Sequence, residues 1–140
     1  MIAFSTVKVI ELYFPTQRGD EPYLAFEYLY RDGGNYKVFG EVWLTGSLSE
    51  QERLELIGSL ESDEFFVAEQ VGLPPLCEGL YEMTGGRIQD DHAWHTFGGF
   101  RGELNVPAGV RIWGKATELL AAIVEAKKDW KPQLSPNFVW

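Results

Sequence analysis

Two apolar runs of period two, separated by a glycine turn, dominate the pattern of this chain. Residues 24–30 and 38–44 are rich in aromatic and β-branched side chains, and Arg31, Asp32, Gly33, Gly34, Asn35, Tyr36 and Lys37 lie between them. That predicts a β-hairpin. A two-residue loop at Gly33 and Gly34 pairs Phe26 with Glu41 and so puts a carboxylate into an aromatic face. An odd loop centred on Gly33, with Gly34 in the left-handed conformation of a bulge, sorts the chain better. Leu24, Phe26, Tyr28 and Tyr30 then share a face with Tyr36, Val38, Val42 and Leu44. Glu27, Arg31, Lys37 and Glu41 take the other, with Leu29, Phe39 and Trp43 as exceptions. Tyr28 and Val38 are both expected in the core, and Gly40 leaves a gap that another backbone or a ring can enter.

The remaining pattern supplies the partners of this hairpin. Alternation around Val7 and Val9 predicts a strand within residues 2–14, followed by a polar connection. Ser49 and Glu52 form a capping-box pattern that opens a helix from Glu50 to about Leu60. Leu54, Ile57 and Leu60 share its stripe, with Leu56 beside it. Glu64 to Val67 reads as a short strand or a buried extended segment, broken by Gly72, Pro74 and Pro75. Residues 76–84 fit a short helix or a strand, and Gly85 with Gly86 marks a turn. Asp90 to Phe97 reads as a strand that Gly98 and Gly99 interrupt, and Val110 to Trp113 as another. Lys115 to Trp130 is the clearest helix, with Ala116, Leu119, Leu120, Ile123 and Val124 inward, and Pro132 ends it. The expected fold is α+β, a mainly antiparallel sheet built on a central hairpin with two helices packed on one face. Phe138 and Trp140 in the tail are expected to pack, either on the body or across a symmetric homodimer.

Composition narrows the function classes. At 140 residues the chain is one domain, and 45% hydrophobic with 14% aromatic content excludes disorder. A single cysteine, Cys77, rules out an intrachain disulfide and fits a reducing cytoplasm. No apolar run is long enough to span a bilayer and no secretory leader is evident, so a soluble cytoplasmic protein without a membrane partner is expected. The net charge of −9, from 12 basic and 21 acidic residues, opposes non-specific nucleic-acid binding. The acids are scattered, which fits ordinary solubility better than mimicry of a nucleic acid.

Two stretches could carry chemistry. Asp90, Asp91, His92, Trp94 and His95 include both histidines of the chain, and imidazole with carboxylate suits a divalent metal. On a strand, however, His92 and His95 point to opposite faces, and no third ligand is evident. No metal ligand, catalytic residue or cofactor is therefore assigned. The other stretch is the glycine loop, where Arg31 can grip a phosphate or carboxylate with two donors and Lys37 adds a point charge. Asn35, Tyr36 and Trp94 extend this set by hydrogen bonding or stacking. If the 90–97 strand lies beside the hairpin, His92, His95 and Arg101 join it. The bland alternative is a solvated tip with a Glu27–Lys37 salt bridge. The loop matches no phosphate-binding fingerprint that opens a helix. Glu64 and Glu69 are the next candidates, but an acid–base pair needs burial and perturbed pKa values, and exposed acids are the default. Cys77 reads as a small buried hydrophobe.

Three motifs resemble those of a family of short uncharacterised prokaryotic and phage-associated proteins. They are Tyr30-Arg31-Asp32 with Asn35-Tyr36-Lys37 and Gly40; Glu64-Phe65-Phe66 with Glu69 and Gly72-Leu73-Pro74; and Asp91-His92 with Trp94-His95 and Phe97. The resemblance implies a prokaryotic or phage-associated setting and assigns no role to any residue; a small phage or defence-related protein that sequesters a ligand would fit. The expected function is non-enzymatic capture of a small anionic ligand, such as a nucleotide, between the Arg31–Lys37 loop and the 90–97 segment. The rival expectations are a metal-dependent hydrolase using Asp91, His92 and His95, and an acidic protein-interaction module.

Overall fold

In the computed structural model, residues 21–31, 36–77 and 92–134 are described. β1 (Tyr23–Arg31) and β2 (Lys37–Thr45) form the hairpin, paired from Tyr23 opposite Thr45 to Arg31 opposite Lys37. The parity is the odd one, so Leu24, Phe26, Tyr28 and Tyr30 share the core face with Leu44 and Val42. The pairing is symmetric about Gly34 rather than Gly33, a slip of two residues that leaves the faces unchanged. Tyr28 consequently sits opposite Gly40, and Val38 opposite Tyr30 near the strand end, where it is half-buried rather than in the core. The gap at Gly40 is filled by a leucine rather than by a ring or backbone. A Cβ there would meet Leu76 Cδ2 at 2.7 Å.

β3 (Phe65–Val67), β4 (Trp94–Glu103) and β5 (Ile112–Lys115) complete a sheet of order β3-β4-β1-β2-β5. β4 is antiparallel to β1 and β3, whereas β5 runs parallel to β2. β4 does not stop at Gly98 and Gly99 as expected. Glu27 pairs with Gly99 and Tyr28 with Phe97, so Gly98 is the extra residue of a bulge. A Cβ on Gly98 would lie 3.1 Å from the Glu27 carbonyl oxygen, which is why glycine suits the position.

α1 (Glu50–Gly58) opens with the expected capping box: Ser49 Oγ accepts from Glu52 N–H, and Glu52 accepts from Ser49 N–H. It ends earlier than predicted, and its inward face carries Arg53 and Leu56, with Leu60 just beyond. Leu54, expected on the inward stripe, is 64% exposed. Arg53 takes that place because its Nε donates to Leu48 O at 3.1 Å and its guanidinium lies over Phe100, 5.5 Å from the ring centre. α2 (Ala116–Ala126) buries Ala116, Leu119, Leu120, Ile123 and Ala126. It is shorter than predicted, and Trp130 turns back to donate to Ser59 O at 3.3 Å.

Both helices pack on the face that carries Leu24, Phe26, Tyr28, Val42 and Leu44, so the fold is α+β with helices on one face. Phe26 anchors this core, with the rings of Tyr28, Phe66, Phe97 and Phe100 within 5.9 Å. The strand expected in residues 2–14, most of the 76–84 segment, the Gly85–Gly86 turn and the 138–140 tail lie outside the described residues. Among the described residues, no helix is long and apolar enough to cross a membrane.

Candidate functional site

β4 runs antiparallel beside β1, so the segment entering it meets the end of β1 that carries Tyr30 and Arg31. His92 Nδ1 accepts the Trp94 N–H at 3.0 Å, which puts the ring proton on Nε2. Nε2 then donates to the Arg31 carbonyl at 2.7 Å, while the His92 N–H donates to the Tyr30 hydroxyl at 3.0 Å. Residues 92–97, the described part of the expected 90–97 segment, and the end of the hairpin therefore do meet, and His92 ties them together. The expectation that His92 and His95 face opposite ways fails, because the strand begins at Trp94 and strand alternation does not govern His92. Both rings flank Tyr30, with centres 5.0 and 5.4 Å from it.

His95 is a core residue, 0% exposed. Its Nε2 accepts the Leu76 N–H at 2.9 Å and its Nδ1 donates to Ala93 O at 3.3 Å. Burial pushes its pKa down to about 4, while the Ala93 carbonyl and Glu69 act the other way. His95 thus holds the loop at Leu76 and is enclosed in the core, whereas Arg31 and Lys37, the residues expected to share a site with it, are exposed. All four ring nitrogens of the two histidines are engaged with backbone, so neither ring has a lone pair left for a metal. Among the described residues, no three His, Cys, Asp or Glu cluster as a metal would need. Asp91 lies outside the described residues.

Arg31 and Lys37 are directly opposite one another across the hairpin, and both are exposed. Like charges so placed repel, by a few tenths of a kcal/mol to about 1 kcal/mol. The Glu27–Lys37 salt bridge is not formed; Glu27 binds Arg101 instead. Among the described residues, no carboxylate pairs with Arg31 or Lys37. Tyr36 beside them is 60% exposed, and Asn35 lies outside the described residues.

Two further candidates stand apart from this end. Arg101 sits opposite Ala25, six residues along β1 from Arg31, on the order of 20 Å at the rise of a strand. Its guanidinium is held by Glu27 at 2.6 Å, Glu41 at 3.2 Å and Glu103 at 2.5 Å, and it lies over the Trp43 ring. Trp43 Nε1 donates in turn to Glu41 at 2.9 Å. Arg101 therefore neutralises a carboxylate cluster on the face of the sheet away from the helices and does not join Arg31. Trp94 packs edge-on against Trp130, with ring centres 6.2 Å apart, which ties it to the exit of α2.

Sequence reasoning missed three contacts: the Tyr30 hydroxyl to His92, the Leu76 amide to His95, and Glu27 to Arg101. Each acts across a strand pair or a loop, and no local spacing signals it. Cys77 is buried beside Tyr30 as a small hydrophobe, as expected. Against family models, curated proteins and solved structures alike, the chain finds no match. The comparisons thus add no role to the motif resemblance.

Proposed function

We propose that this is a non-enzymatic binding protein that captures a small anionic molecule, a nucleotide or sugar phosphate, at the Arg31–Lys37 end of the hairpin. The observation that carries this reading is the exposed pair of cations facing one another with no carboxylate between them among the described residues. A bound anion relieves that repulsion and gains charge-assisted hydrogen bonds. His92 supports the reading because its ring holds the Arg31 carbonyl, so the backbone that carries the guanidinium is held in place before ligand arrives. The exposed Tyr36 ring offers a surface for a base. The charge of −9 keeps nucleic-acid polymers away while leaving this local cationic spot open to small anions. A cytoplasmic setting fits the single buried cysteine.

Calorimetric titration of phosphate, nucleotides and sugar phosphates tests the proposal. Arg31→Ala should weaken binding by about tenfold or more, since a bidentate charged contact is lost. Lys37→Ala should weaken it less, and added salt should weaken the wild type. A panel in which nothing binds, or variants that bind as the wild type does, would dismiss anion capture here.

A further inference from the structure

The outer edge of β2 is only partly occupied. β5 pairs with Trp43, Leu44 and Thr45, and among the described residues nothing pairs with residues 37–42 on that side. The direction of the backbone groups follows from the ladder. Gly46 N–H bonds Pro22 O at 2.8 Å, one step beyond the pairing of Tyr23 with Thr45. Antiparallel pairs alternate, so Leu44, Val42, Gly40 and Val38 turn their N–H and C=O groups toward β1. Thr45, Trp43, Glu41, Phe39 and Lys37 turn theirs outward. Trp43 and Thr45 meet β5, which leaves Glu41, Phe39 and Lys37 presenting donors and acceptors at an edge that no other described strand covers. Their side chains stand on the face away from the helices, and Phe39 is 72% exposed.

We infer that a second copy of this chain docks on this edge, β2 antiparallel to β2, in a two-fold dimer centred on Phe39. The sequence of the edge is its own complement when reversed. Phe39 faces Phe39 of the second copy, Lys37 faces its Glu41, and Glu41 faces its Lys37. Two exposed rings leave water together, and an ion pair forms on each side of them. The parity is right for about six main-chain hydrogen bonds, because the three residues with outward groups oppose one another. Only residues 37–41 can pair, since on the second copy Ile112 already occupies the edge at Trp43. That limit makes the association weak, and the two-fold axis closes it at two copies rather than letting the edge recruit further strands. The inference does not rest on anion capture: Lys37 serves both readings, but Arg31 lies on β1, one strand inward, and takes no part in the edge.

Sedimentation of the full chain over a wide concentration range tests it, with circular dichroism melting to confirm that each variant folds. The wild type is expected to pass from monomer to dimer and no further. Phe39→Asp, at an exposed position, should remain monomeric. Lys37→Glu and Glu41→Lys should each weaken the dimer by about tenfold, by setting like charges opposite one another. The double exchange K37E/E41K should restore it, a result that a folding defect cannot produce. Arg31→Ala should dimerise as the wild type does, so loss of capture and loss of the dimer are read separately. A wild type that stays monomeric, assembles beyond two copies, or pairs equally well as Phe39→Asp overturns the inference. So does a double exchange that fails to restore pairing.

Discussion

Mild acid should destabilise this protein through His95. The ring is 0% exposed and lies among Tyr28, Tyr30 and Phe66, with centres 5.9, 5.4 and 6.0 Å away. A proton on Nε2 would set donor against donor at the Leu76 N–H. Burial accordingly lowers the pKa from 6.5 to about 4. The folded value lies below the unfolded one, so the unfolded chain takes up the proton first. The neutral ring's full contribution is present above about pH 6.5, falls as pH drops toward about 4, and is flat below that. The whole difference corresponds to about 3 kcal/mol, of which about 2 kcal/mol is lost by about pH 5. Urea unfolding of the wild type and of His95→Gln at several pH values measures it. The glutamine carbonyl can accept the Leu76 N–H without titrating. Between about pH 7 and about pH 5 the wild type should lose about 2 kcal/mol more than the variant. Equal losses would refute the assignment, since His92 and the acids are common to both proteins.

Four other substitutions separate the contacts that hold the sheet. Gly98→Ala should cost about 1–3 kcal/mol, because its Cβ presses on the Glu27 carbonyl, whereas Gly40→Ala should cost less, because the end of Leu76 can turn aside; similar melting shifts for the two would count against the bulge geometry. Arg101→Met removes the cation shared by Glu27, Glu41 and Glu103, and should cost about 1–2 kcal/mol at low salt, shrinking as salt rises; a loss that ignores salt would show that packing on Trp43 matters instead. Tyr28→Phe deletes the hydroxyl that donates to Pro74 O at 2.7 Å and should lower stability by about 1–2 kcal/mol in chemical unfolding; no change would mean that water replaces the donor.

The sequence by itself determined what depends on local repeat and local hydrogen bonding. Period-two alternation sorted the hairpin faces, because a slip of one residue would have exchanged core for solvent. Ser49 and Glu52 located the start of α1 because a capping box is closed within four residues. The apolar stripe at Leu119, Leu120 and Ile123 marked α2 in the same way. The tertiary structure decided everything that parity and spacing leave degenerate. A slip of two residues preserves the faces, so the alternation does not distinguish a centre at Gly34 from one at Gly33; in the structure the centre is at Gly34, which sets Gly40 opposite Tyr28 with Leu76 packed against it. Gly98 and Gly99 look like a break until Glu27 is set beside them, where they form a bulge within β4. Arg53 looks like a surface residue until Leu48 and Phe100 receive it. The candidate site divides along the same line. That Arg31 and Lys37 lie on one face follows from the alternation in the sequence, but their pairing directly opposite one another follows from the register centred on Gly34, which the structure decided. His92 reaches the Arg31 carbonyl, His95 is enclosed, and Arg101 is claimed by three carboxylates through contacts between strands distant in sequence, whose partners are chosen by burial and charge once the sheet has assembled.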